Sequence, residues 1–252
     1  MNAQSTALDN IANNLANVNT NGYKRGEATF QDLLYVNEQA PGGQVAQGLQ
    51  NPTGIQIGSG VRVSGITKIF LPGSLVNTSN PLDIAIGGDG FLQVTMPNGE
   101  QQFTRDGALR INSQGNLVTA DGFLINPQVS IPPQAVSITI GVDGTISVVN
   151  AGATNTSVVL GQLTLARFQN PSGLSAQGRN LFAETASSGP ATLATPGQNG
   201  IGLVQQGFLE RSNVDPVTEL VGLILAQRAY ELNTRSVRTA DNMLAATTEL
   251  VR

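Results

Sequence analysis

From Leu223 to Val251 an apolar or aromatic residue returns at every seventh position (Leu223, Tyr230, Val237, Leu244, Val251), and Ala226, Asn233, Ala240 and Thr247 fill the column three positions later. Two turns of α-helix take up close to seven residues and a strand repeats every two, so this pattern is helical. Asp215 suits an N-cap and Pro216 the first helical position, which gives one helix of about 35 residues, roughly 50 Å at 1.5 Å per residue. A core helix lying along a sheet would carry a similar stripe. A 3.5-residue repeat held over so many turns favours a helical partner, and small Ala and Thr in the second column allow it to come close.

The other end of the chain has a shorter copy of the pattern. Met1, Leu8 and Leu15 fall seven apart, with Gln4, Ile11 and Val18 three later, and Asn19-Thr20-Asn21-Gly22 supplies the left-handed backbone that stops a helix. A helix this short is marginal alone in water. Between the two ends the period changes to two. Phe91 to Met96 reads as a strand, Pro97-Asn98-Gly99-Glu100 as a turn and Gln101 to Arg105 as the returning strand. Asp106-Gly107, Gln114-Gly115, Asp121-Gly122 and Asp143-Gly144 mark further turns, the last between Ser137 to Ile140 and Thr145 to Val148. The expected fold is a mainly β central region with α-helical termini, the β part closing in a Greek-key or barrel-like way. Pro41-Gly42-Gly43 through Pro52-Thr53-Gly54 reads as an extended loop.

Composition narrows the chemistry. The chain of 252 residues has no Cys, His or Trp, which removes thiol nucleophiles, Cys and His zinc sites and every His-based proton relay. Charged residues make up 12%, about half the usual share. The 13 basic residues are scattered, with Lys24-Arg25 the only adjacent pair, so no nucleic-acid surface is expected. No basic cluster followed by an apolar run stands at the N-terminus, so no cleavable secretory signal is expected. A glycosidase pair could be drawn from Asp83, Asp89, Asp106 or Asp121, but three Tyr and no Trp offer few sugar platforms. Gly58-Ser59-Gly60 fails as a dinucleotide fingerprint, because Val63 stands where the third Gly belongs. A secreted β-rich adhesin or carbohydrate-acting enzyme carrying a trimerising C-terminal helix is the rival to a self-assembling structural subunit. No catalytic residue, cofactor or metal is expected, and the self-assembly candidates are Leu8, Ile11, Leu15, Val18, Leu223, Ala226, Tyr230, Asn233, Val237, Ala240 and Leu244.

Two terminal stretches resemble a known family. Ile11-Ala12-Asn13-Asn14-Leu15-Ala16-Asn17-Val18-Asn19-Thr20-Asn21-Gly22-Tyr23-Lys24-Arg25 is similar to the N-terminal signature of flagellar rod and hook proteins, and Ala226-Gln227-Arg228-Ala229-Tyr230-Glu231-Leu232-Asn233 to their C-terminal one. Phe30 to Tyr35, Gly54 to Gly58, Thr104-Arg105-Asp106-Gly107 and Gln206 to Val214 resemble stretches of the distal-rod members. The resemblance implies terminal segments 1–35 and 212–252 forming a coiled-coil-like inner-tube domain, a stiffening segment 36–59 and an all-β domain 60–211. It also implies export through the flagellar type III apparatus and helical polymerisation into a periplasmic rod that carries torque. The partners it implies are further copies of the chain, proximal rod proteins, the hook protein or its junction, and P- and L-ring proteins where there is an outer membrane. In this family the first helix is already under way at the position of Met1.

Overall fold

The computed structural model describes residues 2–39, 44–46, 49–50, 53–151 and 156–250. Met1, Val251, Pro41-Gly42-Gly43 and Pro52, all used in the sequence reading, lie outside them. The chain divides into two compact units, one of Met1–Asn13, Gly26–Thr67 and Val217–Arg252, the other of Asn14–Arg25 and Lys68–Pro216.

Both terminal helices form. α1 spans Asn2–Ala16, and the turns after it end on Gly22 at φ 67°. α2 spans Pro216–Leu250, 35 residues, starting on the proline that the sequence marked. The first unit also contains a ribbon of nested strand pairs. Here β1 (Gly26–Asp32) pairs with β6 (Val61–Lys68), β2 (Tyr35–Gln39) with β5 (Ile55–Gly58) and β3 (Gln44–Ala46) with β4 (Leu49–Gln50). Within the stretch expected to be an extended loop, the described residues 44–46 and 49–50 pair with each other, and the strands flanking it pair as well. Tyr35 opposes Gly58 and Val36 opposes Ile57, short runs whose β-branched and aromatic residues are masked in the sequence by Gly and Pro on either side.

The second unit holds the core. Phe91–Thr95 pairs along one edge with Gln101–Thr104, joining Thr95 to Gln101 across the turn read from Pro97-Asn98-Gly99. Its other edge is shared: residues 93–95 pair with Leu124–Asn126, and residues 91–92 with Leu165–Arg167. The nine-stranded sheet thus branches at this strand. Its main path among the described residues stays open, from Arg110–Ile111 to Ser175–Gly178, where the sequence reading expected closure. Ala135–Ile140, Thr145–Asn150 and Ser157–Gln162 make a separate three-stranded sheet. Alternate residues of these strands, among them Leu92, Val94, Ile146 and Val148, meet Ile84, Leu117, Ile125, Leu163 and Leu165 in one apolar core. A second cluster is aromatic. The Phe70 ring stands edge-on to Phe91 and Phe182, both at 5.3 Å, and Phe103 meets Phe168 at 4.8 Å.

The turn signals were right with one exception. Gly115, Gly122 and Gly144 have φ of 84°, 86° and 80°, as hairpin glycines should. Gly107 differs: a Cβ there would lie 1.7 Å from the carbonyl oxygen of Ile84, which donates its own N–H to Gly107 O at 3.0 Å. Asp106-Gly107 is a close backbone crossing, where the glycine supplies space.

Candidate assembly surface

In the first unit, α1 and α2 meet where Ile11 Cδ1 lies 3.6 Å from the place a Cβ would take on Gly222. Around this contact Leu8, Ile11 and Leu223 are half-buried, while Glu219 and Ala226 are buried. Past Ala226 the same face of α2 is bare: Tyr230, Asn233, Val237, Ala240 and Leu244 are exposed, Leu244 at 67%. Leu15 and Val18 are half-buried and belong to the second unit, and Val18 stands two residues past the end of α1. The structure therefore brings the middle of the shorter stripe to the beginning of the longer one and leaves the rest of the longer one without cover from the described residues.

A second apolar face on α2 is absent from the heptad reading. At roughly 100° per residue, Val217, Val221, Ile224, Leu225 and Leu232 gather on the side opposite Leu223, Ala226, Tyr230, Val237 and Leu244. All five are exposed, Val217 at 67% and Leu225 at 64%. They escaped because they follow no seven-residue column, although their spacing of three, four and seven is the helical signal that would have found them. The ribbon adds to this surface. Phe30, Tyr35, Val36, Ile55, Ile57, Val61 and Ile66 are exposed on paired strands that have no further layer among the described residues of their unit, and Leu34 is exposed between two of those strands.

Within the second unit a buried ionic hub joins distant parts of the chain. Glu210 Oε1 accepts from Lys24 Nζ at 2.5 Å and from the Gly73 N–H at 2.9 Å, and Glu210 Oε2 accepts from Arg105 Nε at 2.8 Å. Lys24 also donates to Leu71 O, and Arg105 to the carbonyls of Ile86, Gly88 and Gly90. Each charge is hidden from solvent: Lys24 and Glu210 are 1% exposed and Arg105 3%. Burial and the neighbouring Arg105 lower the Lys24 pKa, with Glu210 pulling the other way. Burial pushes the Glu210 carboxyl up, but the two cations and the Gly73 N–H outweigh it and hold its pKa below the ordinary glutamate value. Next to this hub Lys68 Nζ sits 4.2 Å from the centroid of the Tyr23 ring and donates to Lys24 O at 3.0 Å. Burial lowers the Lys68 pKa. Asn213 Oδ1 takes the Arg25 N–H at 2.7 Å, and its amide donates to Ile69 O at 2.8 Å. Sequence reading marked Lys24, Arg105 and Glu210 only as members of three separate motifs.

Three family models match the chain in turn: "Flagella basal body rod protein" over residues 1–24, "Flagellar hook protein FlgE/F/G D1 domain" over 85–148 and "Flagellar basal body rod FlgEFG protein C-terminal" over 205–250. The flagellar basal-body rod protein FlgG of Caulobacter vibrioides is 46% identical over 99% of this chain and 95% of its own. Its counterpart in Borreliella burgdorferi is 42% identical over 100% and 96%, and that of Bacillus subtilis 37% over 98% and 94%. The chain belongs to the FlgG family of flagellar basal-body rod proteins. As a member it is a structural component of the rod and not an enzyme. The rod-family segments coincide with the ionic hub: Lys24 closes the first match, Arg105 lies in the second and Glu210 in the third. Each of the three matched segments thus contributes one charged side chain to the hub. No helix of the described residues is long and apolar enough to cross a membrane.

Proposed function

We propose that this rod protein is a subunit of the distal rod and polymerises helically into a straight, stiff shaft that carries motor torque to the hook. Terminal segments 1–35 and 212–252 form the inner tube, residues 36–59 stiffen the lattice and residues 60–211 form the outer β domain. The seam residues are Leu8, Ile11, Leu15, Val18, Leu223, Ala226, Tyr230, Asn233, Val237, Ala240 and Leu244, joined by the opposite face of α2. Subunits travel unfolded through the flagellar type III apparatus and assemble in the periplasm. Their partners are copies of themselves, proximal rod proteins, the hook protein or its junction, and P- and L-ring proteins where the envelope has an outer membrane.

The observation that carries this reading is the pair of bare apolar faces on opposite sides of α2. A helix with one apolar stripe is satisfied by one neighbour; a helix with two needs cover on both sides, as in the wall of a tube. Burial of a large aliphatic side chain is worth about 1.5–3 kcal/mol before ordering costs, so a few residues per subunit suffice to drive assembly. Electron microscopy of polymers grown from the purified chain tests the proposal. Straight, unbending tubes with helices lining the lumen are expected, and curved, flexible filaments or closed small oligomers would overturn it.

A further inference from the structure

The chain contains three Asn-Gly pairs, Asn21-Gly22, Asn98-Gly99 and Asn199-Gly200. In this dipeptide the backbone nitrogen of the glycine can reach the side-chain carbon of the asparagine, because no Cβ crowds the approach. The fold treats the three pairs differently. Gly22 is buried and donates its N–H to Glu210 O at 2.8 Å, and a Cβ on it would lie 2.7 Å from the Arg105 carbonyl carbon, so there is no room for a new ring. At the hairpin tip, Gly99 donates to Met96 O at 2.9 Å. Both ends of the Asn98 side chain are held there, its amide donating to Glu100 Oε2 at 2.8 Å and its oxygen accepting the Glu100 N–H at 3.1 Å.

Asn199 is exposed, and its side chain has no hydrogen bond among the described residues. The turn Gln198 to Ile201 closes with the Ile201 N–H on Gln198 O at 2.9 Å, and Asn199 and Gly200 have φ of 52° and 74°, a type I′ turn. Among the described residues the Gly200 N–H has no acceptor. The carbonyl of the same peptide bond, Asn199 O, accepts from Arg167 Nη1 at 3.0 Å, and that guanidinium nitrogen lies 3.2 Å from where a Gly200 Cβ would be.

We propose that Asn199 is a self-modifying site, converted to isoaspartate and aspartate through a cyclic imide whose formation Arg167 promotes. Solvent base removes the Gly200 amide proton, and the negative charge moves onto Asn199 O, where the Arg167 guanidinium already donates. The nitrogen attacks Asn199 Cγ, the N–Cγ bond forms, the Cγ–Nδ2 bond breaks and ammonia leaves with a proton from the conjugate acid of that base. Water then opens the ring at either carbonyl, giving aspartate or isoaspartate; nothing is oxidised or reduced. The product places a carboxylate beside Arg167 in the surface cleft that it shares with Phe168, Pro190 and Thr192.

Peptide mapping by mass spectrometry of the full chain, held at neutral pH and sampled over weeks, tests this. Asn199 is expected to convert about tenfold faster than Asn98, with Asn21 unchanged, and Arg167→Gln to slow Asn199 about tenfold while Asn98 keeps its rate. Arg167→Lys, which keeps the charge but loses the planar fork, should fall between. Asn21 reports on the fold: should it convert in Arg167→Gln, the comparison with Arg167→Lys decides. Asn98 converting as fast as Asn199, or an Asn199 rate indifferent to residue 167, overturns the proposal.

Discussion

At Glu210 one carboxylate serves two buried cations and a backbone N–H, from residues 24, 105 and 73. Glu210→Gln keeps the shape and removes the charge, leaving Lys24 and Arg105 uncompensated, so it should cost about 3–5 kcal/mol, read from the urea midpoint of dilute subunits. The same residue gives a pH dependence. Its folded pKa lies below the unfolded one, so the stability it contributes is complete above the ordinary glutamate range and is lost as pH falls through the lower folded value. Acid should therefore weaken the wild type more steeply than Glu210→Gln in that window, and parallel curves would deny the hub its role. None of this was legible from the residues alone. Lys24, Arg105 and Glu210 are spread along the chain, and a charged residue in a sequence does not name its partner; what was visible was that charge is scarce, so each charge retained inside a motif needs a reason.

Among the elements, α2 was the most legible, because a proline start and a seven-residue column are local signals that packing did not override. Its second face was missed for the opposite reason: Val217, Val221, Ile224, Leu225 and Leu232 follow the looser spacing of a straight helix. Gly222 gives a test of the α1 and α2 contact. A Cβ there meets Ile11 Cδ1 at 3.6 Å, an ordinary contact, so Gly222→Ala should raise stability by about 0.5–1 kcal/mol through helix propensity. Thermal melting followed at the helical circular-dichroism band should move up, and a lower midpoint would mean the helices pack more closely than the structure has them. Val61–Lys68 fell in the region read as β, but the inner ribbon pairs were illegible because they are short and two-stranded, with Tyr35–Gln39 and Ile55–Gly58 exposed throughout, so no buried face imposes alternation.

At the scale of the whole molecule, the order helix, β region, helix followed from the change of period along the sequence, while the branching of the nine-stranded sheet at Phe91–Thr95 did not, since a strand does not announce how many neighbours share its edge. The seam candidates divide in the single chain. Ala226 is buried and Leu223 half-buried, and Tyr230, Val237 and Leu244 are bare. That division separates what the fold itself uses from what is left for neighbours. Val237→Asp and Leu225→Asp, one on each bare face of α2, probe this directly, because both residues are exposed in the single chain and a charge there costs its fold little. Sedimentation of the two variants under polymerising conditions, with the urea midpoint as a check on the β domain, should show folded subunits that no longer form polymers. Polymers of normal length from both variants would contradict a shaft built on the two faces of α2.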